Sequence, residues 1–336
     1  MKDKKILKGL VIQSSKNILI ALAADKEGSA RYECRIKGKV LKTDSETYNL
    51  AVPGDWVTIE RENVSNNVKE NCVQRAMILS VEQRRNFFSR YNQKGSLSQI
   101  LAANIDLILC VCAPLSPPFR PRFIDRILLQ AEIAGIEAAV ICNKIDLSRG
   151  DPDVNERLEE YSRIGYKVLN VSAKTKEGIK QLYGEIKGKT CALTGQSGTG
   201  KSSLINALNP RLGIKEGLIN EKYDRGVHTT TMSIMHDLGT LYDNTRIIDT
   251  PGIRLFIPDG INKNEAINFM REFAVLAGKC SYGMSCSHKT EVGCKILEAV
   301  DAGIIHEDRY ESFIRITEDL ERIEQKARIK RRAGIK

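Results

Sequence analysis

The alternation of hydrophobic and polar residues changes twice along the chain and so marks three zones. In the first zone, up to about residue 80, short apolar runs of period two are separated by turn residues. Strands are predicted at residues 9–12, 18–22, 32–40 and 55–60. The length and strand count suit a small five-stranded OB-type β-barrel. Such barrels often bind oligonucleotides, although a barrel with a purely structural role would produce the same pattern.

The second zone begins near residue 105, where apolar strands alternate with amphipathic helical stretches. Strands are predicted at residues 106–112, 138–142, 167–171, 190–194, 231–237 and 246–249. Helices are predicted between them at residues 122–134, 155–164 and 202–208. Because strands joined by helical crossovers run mostly parallel, we expect an α/β domain here.

In the third zone, after residue 258, the strand signal fades and helical periodicity returns at residues 297–303 and 310–329. A cluster of Cys and His lies in the same zone. The three zones predict a multi-domain protein. We expect an OB-type β-barrel at residues 1–80, an α/β domain at 81–258 and a helical domain with a basic tail at 259–336.

Composition excludes several classes of protein. An apolar fraction of 42% and a charged fraction of 28% are those of an ordinary folded globular protein. The chain starts with a basic stretch, but the polar residues 13–17 interrupt the apolar run that a signal peptide needs. No run approaches the roughly 20 apolar residues of a membrane span. We therefore expect a cytoplasmic protein without a membrane partner.

The formal net charge of +10 points to a polyanionic partner such as a nucleic acid. A merely basic, well-solvated surface is the alternative. Residues 325–336 carry six Lys or Arg and no acidic residue. A tail of this kind is often only solvated, so it does not decide between a polyanionic partner and a merely basic surface.

A glycine-rich loop carries the strongest chemical signal. It matches the pattern G-x-x-x-x-G-K-[ST] and stands between a predicted strand and a predicted helix, as a phosphate-binding loop must. Lys201 would reach the β- and γ-phosphates and Ser202 would bind Mg²⁺. A glycine-rich turn without a ligand is the alternative. The candidate nucleotide-binding residues here are Thr194, Gly195, Gln196, Ser197, Gly198, Thr199, Gly200, Lys201 and Ser202.

Two further motifs at strand ends would read the base. Asn143, Lys144 and Asp146 form an N-K-x-D sequence directly after a strand, where ligands bind in open α/β sheets. The Asp146 carboxylate would accept hydrogen bonds from guanine N1 and N2, a donor pair that adenine lacks. A second short motif, whose amides would meet guanine O6, comprises Ser172, Ala173 and Lys174. Together with the phosphate loop, these motifs indicate GTP or GDP rather than ATP as the ligand.

The hydrolytic elements come next along the chain. Asp249 and Gly252 belong to a D-x-x-G sequence, in which Asp249 would hold Mg²⁺ through a bound water and the Gly252 N–H would face the γ-phosphate. Within residues 226–231 we expect Thr230 to bind Mg²⁺. Ile253 stands where many GTPases place a glutamine that orients water, so we expect a GTPase of slow intrinsic turnover, with His228 as the candidate catalytic side chain. His228 as an exposed loop residue is the alternative, and so is a GTP-gated RNA-binding factor in which hydrolysis is incidental.

Three cysteines and one histidine are gathered within fifteen residues: Cys280, Cys286, His288 and Cys294. Three sulfurs and one imidazole suit a tetrahedral Zn²⁺ site, and four protein ligands leave no open position for water. We therefore expect a structural zinc site. A disulfide is disfavoured in a cytoplasmic chain, and a chance cluster is the remaining alternative.

The order of these motifs is permuted, because the base-reading sequences precede the phosphate loop. With the barrel and the C-x5-C-x-H-x5-C cluster, the chain resembles the RsgA/YjeQ family of small-ribosomal-subunit biogenesis GTPases over nearly its whole length. The matching segments are residues 99–106, 143–147, 195–202, 226–231, 249–253 and 280–294.

The resemblance implies an OB barrel, a circularly permuted GTPase domain and a zinc-binding helical domain. It also implies binding to 16S rRNA in the 30S subunit, stimulation of the GTPase by that subunit, and a monomer off the ribosome. Val227 is the closest departure from the family pattern, at a position not expected to matter. Because D-x-x-G comes last in the permuted order, we expect loss of the γ-phosphate to reposition the helical domain.

Overall fold

A computed structural model describes the chain at residues 5–15, 19–25, 28–36, 47, 49–62, 74–93, 96–147, 150–214, 232–253 and 255–332. Its strands are β1 (Ile6–Ser14), β2 (Leu19–Asp25), β3 (Gly28–Ile36), β4 (Trp56–Arg61), β5 (Gln74–Val81), β6 (Phe87–Asn92), β7 (Leu97–Ala103), β8 (Leu107–Cys112), β9 (Glu137–Cys142), β10 (Lys167–Asn170), β11 (Thr190–Gly195), β12 (Ser233–Asp237) and β13 (Arg246–Asp249). Its helices are α1 (Pro121–Ala134), α2 (Pro152–Arg163), α3 (Ile179–Ile186), α4 (Lys201–Leu208), α5 (Arg271–Ala274), α6 (Lys295–Asp301) and α7 (Glu307–Arg332).

The first five strands close into a barrel in the order β1-β2-β3-β5-β4-β1. Strands β3 and β5 run parallel, and the other neighbours run antiparallel. The inward positions Val11, Tyr32, Ile59 and Ile78 are completely buried, as the alternating pattern requires. The predicted five-stranded barrel is confirmed. The sequence had not located β5, and the end of the strand predicted at residues 32–40 lies outside the described residues.

The predicted α/β domain contains a six-stranded sheet in the order β10-β9-β8-β11-β13-β12, parallel except for β12. Its central strands are buried on both faces, and their sequences are therefore continuous apolar runs. The strand order reverses between β8 and β11. At such a point the loops leave the sheet in opposite directions and open a crevice at the carboxyl ends of the strands.

The helices of this domain begin and end at residues suited to those positions. Helix α1 has Pro121 at its first turn, and Gly135 ends it with a left-handed φ of 63°. Helix α2 is capped by Asp151, whose carboxylate accepts hydrogen bonds from the backbone N–H groups of Asp153 and Val154.

The barrel and the α/β sheet are joined by backbone pairing. The last residues of β1, Gln13 and Ser14, pair with Ile234 and Ser233 of β12. Ile234 in turn pairs with Asp249 of β13. The barrel therefore continues the sheet that carries the D-x-x-G sequence.

Strands β6 and β7 form an antiparallel hairpin that the sequence did not predict. The register shifts between Phe88 and Ser89, which interrupts the period-two pattern on which a strand prediction depends. Phe88 is fully buried, and its ring stacks on that of Phe256 with centroids 5.5 Å apart. The hairpin thus covers the segment that follows the D-x-x-G sequence.

The C-terminal helices pack around a core of their own, in which the rings of Phe273 and Phe313 lie 4.8 Å apart. The predicted helices at residues 297–303 and 310–329 correspond to α6 and α7. Helix α7 is the longest at 26 residues. In the part of the chain that the structure describes, no helix is both long and apolar enough to cross a membrane.

A buried charge cluster fixes α7 against α1. The Arg309 guanidinium donates from Nη1 to Asp125 Oδ1 at 2.7 Å and from Nε to Glu272 Oε1 at 2.6 Å. Tyr161 Oη donates to the same Asp125 oxygen at 2.7 Å, and Ser312 Oγ donates to the other. Arg309 and Asp125 are almost completely inaccessible to solvent. The cluster is satisfied only while the two helices remain in contact.

We expect Arg309→Met to lower the free energy of unfolding by about 3–5 kcal/mol, because it leaves the buried carboxylates of Asp125 and Glu272 without their cation. Urea unfolding followed by circular dichroism measures this change. The matched control on the same helix is Arg322→Met, whose arginine is 68% exposed; its effect should stay within about 0.5 kcal/mol. Equal effects of the two substitutions would contradict this account of the interface.

Candidate functional site

The glycine-rich loop at residues 195–202 connects β11 to α4 at the carboxyl edge of the sheet. At Gly195 φ is 157°, and a Cβ would lie 2.3 Å from the carbonyl oxygen of Val111. At Gly200 φ is 85°, and a Cβ would lie 2.5 Å from Asn143 Nδ2. No other residue fits these two positions without displacing its neighbours. The two fixed glycines of the motif are therefore required by close packing as well as by phosphate chemistry.

Lys201 is buried inside this loop. Its Nζ donates to the carbonyl oxygens of Gly195 at 3.1 Å and Gln196 at 3.0 Å. Burial lowers the pKa of Lys201, while the nearby Asp249 carboxylate acts to raise it. The carbonyl oxygens of the loop therefore hold the ammonium group inside it.

Asp249, at the end of β13, is also buried. Burial raises its pKa to about 6, and Lys201 opposes this rise. In the described residues, Asp249 Oδ1 and Thr194 Oγ1 are buried without a hydrogen-bond partner. Buried oxygens without partners beside a phosphate loop are suited to bind a hydrated Mg²⁺. Ser202, half-buried in the first turn of α4, adds a hydroxyl at the same edge.

The side chain of Asn143 joins the base-reading loops to the phosphate loop. Its Nδ2 donates to the carbonyl oxygen of Thr199 at 2.9 Å, and its Oδ1 accepts from the backbone N–H of Ala173 at 3.0 Å. Lys144 Nζ donates to the carbonyl oxygens of Ser116 and Gly198, both at 2.7 Å. The three sequence motifs therefore form one connected structure.

Asp146 is oriented by a neighbour from the second base-reading motif. Ser172 Oγ donates to Asp146 Oδ1 at 2.6 Å, and the same hydroxyl oxygen accepts from the backbone N–H of Thr175 at 3.1 Å. Lys174 lies in the same loop with its side chain exposed. A carboxylate held in this way presents fixed acceptors to a base that enters the crevice.

The D-x-x-G sequence packs directly on the phosphate loop. A Cβ on Gly252 would lie 3.0 Å from Ser197 Cα, and the Ile253 N–H donates to the carbonyl oxygen of Gly195 at 3.4 Å. The Ile253 side chain is 2% exposed and belongs to the hydrophobic core. An aliphatic side chain buried in this way has no polar atom with which to orient water. The candidate residues His228 and Thr230 lie outside the described residues.

The four residues of the cysteine cluster converge, as their spacing predicts. Their ligand atoms all lie within 4.8 Å of one another, and all four side chains are buried. Cys280 Sγ lies 3.8 Å from Cys294 Sγ, and His288 Nδ1 lies 3.5 Å and 3.4 Å from these sulfurs. A tetrahedral ion with sulfur bonds of about 2.3 Å and a nitrogen bond of about 2.0 Å requires S–S and S–N separations of roughly 3.8 and 3.5 Å. The geometry fits a four-coordinate metal ion.

Two neighbours hold this cluster in place. The backbone N–H of Lys295 donates to Cys280 Sγ at 3.3 Å, which stabilises negative charge on that sulfur. Tyr310 Oη of α7 donates to the carbonyl oxygen of His288 at 2.7 Å. The cluster is thereby fastened to the long C-terminal helix.

One element of the crevice, the turn at residues 114–118, was not predicted from the sequence. Its Ser116 carbonyl oxygen holds Lys144, and Pro117 Cδ would lie 3.6 Å from a Cβ on Gly198. The available signal was the proline-rich sequence directly after β8, at the carboxyl edge of the sheet.

Comparison with known sequences finds two matching families. Residues 81–257 match the family described as RsgA GTPase, and residues 190–329 match the family described as 50S ribosome-binding GTPase. A Borreliella burgdorferi (strain ZS7) protein named small ribosomal subunit biogenesis GTPase RsgA is 36% identical over 297 residues, which cover 88% of this chain and 92% of that protein. The protein of the same name from Phocaeicola vulgatus is 33% identical over 319 residues, which cover 94% and 97%.

Two solved structures resemble most of the chain. The crystal structure of YjeQ from Thermotoga maritima superposes with a TM-score of 0.65 at 28% identity, covering 94% of this chain and 99% of that one. YloQ, described as a circularly permuted GTPase, superposes with a TM-score of 0.62 at 20% identity, covering 94% and 96%. The second likeness concerns the fold alone.

Proposed function

The chain belongs to the RsgA family of GTPases, and from that premise we propose that it hydrolyses GTP to GDP and phosphate during late maturation of the small ribosomal subunit. The bridge that Asn143 makes between the phosphate loop and the base-reading loops is the observation that carries the proposal. This bridge supports the proposal that the candidate phosphate-binding and base-binding residues share one crevice at the reversal point of the sheet.

We propose that Asp146 selects guanine and that the amides of Ser172, Ala173 and Lys174 meet its O6 edge, while Asn143 and Lys144 support the base and the loop. Residues 194–202 would enclose the phosphates, with Lys201 between the β- and γ-phosphates. Mg²⁺, when bound, supplies positive charge against the phosphate oxygens, and Ser202, Thr230 and Asp249 are the residues we assign to hold it. Gly252 would direct its N–H at the γ-phosphate.

We propose that His228 positions the attacking water, since Ile253 is buried in the core. Positioning accounts for most of the catalysis in phosphoryl transfer, so intrinsic turnover should be slow without a partner. The partner that we propose is the 30S subunit, contacted through 16S rRNA. The net charge of +10 and the OB-type barrel support this choice.

We propose that the domains comprise residues 1–80, 81–258 and 259–336. We also propose that the protein is cytoplasmic and that it is a monomer off the ribosome.

We propose that the ion in the cysteine cluster is Zn²⁺. The three sulfurs and one nitrogen favour zinc over oxygen-seeking cations, and the absence of an open coordination position makes the site structural.

We expect 30S subunits to raise the GTP turnover of the purified chain by at least about tenfold, because partner binding positions the catalytic groups. His228→Ala should reduce the stimulated rate by about 100-fold while leaving GDP affinity unchanged. Phosphate release under saturating GTP measures both rates. If 30S subunits bind but do not raise the GTP turnover of either the wild-type chain or His228→Ala, the chain is a GTP-gated binding factor and our proposal fails.

We expect metal analysis of the purified chain to find one zinc ion per molecule. Cys286→Ser should lose most of it, and its C-terminal helices should melt at a lower temperature. The matched control is Cys34→Ser, which changes a buried cysteine of β3 that does not belong to the cluster. Full zinc retention in Cys286→Ser, or equal loss in the control, would refute the assignment.

A further inference from the structure

The segment that follows the D-x-x-G sequence is bound along one side by the β6–β7 hairpin. Ser89 Oγ and Ser98 Oγ both donate to Asp259 Oδ2, at 2.9 Å and 2.5 Å. The backbone N–H of Tyr91 donates to the carbonyl oxygen of Ile257 at 3.0 Å. The pairing register places both serines on the same face of the hairpin. Residues 255–259 therefore lie beside β6, held by one backbone hydrogen bond and by the two serine hydroxyls.

Helix α1 binds the same segment from the other side. The backbone N–H of Asp259 donates to Gln130 Oε1 at 2.7 Å, and Gln130 is 2% exposed. Arg126 Nη1 donates to the carbonyl oxygen of Phe256 at 3.4 Å. The Phe256 ring is fully buried against Phe88. The segment is thus clamped between a hairpin and a helix by hydrogen bonds and by packing.

The other end of this stretch is fixed on the phosphate loop. Gly252 packs on Ser197, and the Ile253 N–H reaches the carbonyl oxygen of Gly195. Few residues separate these contacts from the clamp that starts at residue 255. Because each residue spans at most about 3.6 Å, a stretch this short has little slack between two fixed ends. A shift of the clamp must therefore displace the Gly252 N–H.

We propose that Asp259 is a positioning residue for GTP hydrolysis. By bonding to the β6–β7 hairpin, Asp259 fixes the segment after the D-x-x-G sequence and thereby the position of the Gly252 N–H. The inference rests on the proposed function. Ile253 offers no polar group to the crevice, so the γ-phosphate side of the site depends on backbone placement there. GDP lacks the γ-phosphate, and its binding therefore does not depend on this placement.

The test is the kinetics of Asp259→Ala in the full chain. We expect kcat for intrinsic GTP hydrolysis to fall about 10- to 100-fold, as small misplacements in phosphoryl transfer do, while KM for GTP and the affinity for GDP stay within about twofold. Asp259→Asn should recover most of the rate, because its amide can pair with both serine hydroxyls. The matched control, Asp301→Ala, removes an exposed carboxylate at the end of α6 and should behave as wild type.

A second variant reaches the same contact from the hairpin. Ser89→Ala combined with Ser98→Ala removes both donors and leaves Asp259 in place, so it should reproduce the loss in kcat. This variant keeps the inference testable if Asp259→Ala does not fold.

Two results would overturn the inference. One is a kcat within about twofold of wild type in either the Asp259→Ala or the double-serine variant. The other is a parallel loss of kcat, GDP affinity and melting temperature that Asp259→Asn does not restore, which indicates a structural role alone. If the wild-type chain shows no turnover with or without 30S subunits, the proposed function fails, and this inference fails with it.

Discussion

The side-chain amide of Asn143 holds together the loops that form the nucleotide crevice. It donates to the phosphate loop at Thr199 and accepts from the loop after β10 at Ala173, while its own backbone belongs to the loop after β9. Polar networks of this kind fix a geometry when their members are satisfied. The distance between Asp146, the candidate base-reading residue, and the phosphate loop is therefore set by protein contacts. Circular permutation leaves this contact intact, because it depends on neighbouring strand ends and not on their order along the chain.

Much of the fold and of the crevice was predictable from local sequence. The parallel strands of the α/β domain end where their apolar runs end, so the polar residues that follow them had to gather at one edge of the sheet. The phosphate loop, the base-reading sequences and the D-x-x-G sequence are all short patterns beside such strand ends. The spacing of Cys280, Cys286, His288 and Cys294 likewise indicated a cluster before their convergence was seen.

The remaining features depend on contacts between residues far apart in sequence, and local patterns do not encode these. Asp259 bonds to Ser89 across 170 positions, and Arg309 bonds to Asp125 across 184. The register shift in the β6–β7 hairpin interrupts the alternation from which its strands would have been predicted. The β1 sequence contains no pattern that predicts the pairing of its last residues with β12. These contacts also bear on the expectation that γ-phosphate loss repositions the helical domain. A large movement would break the buried Arg309 cluster, so the packing favours small displacements near Gly252.

We expect this crevice to select a guanine nucleotide, and a calorimetric titration of the purified chain with GDP and with ADP in the presence of Mg²⁺ measures that selectivity. We expect GDP to bind at least about 100-fold more tightly, because adenine cannot offer the Asp146 carboxylate the two N–H donors that guanine presents. Equal affinities for the two nucleotides, or binding of neither, would contradict it.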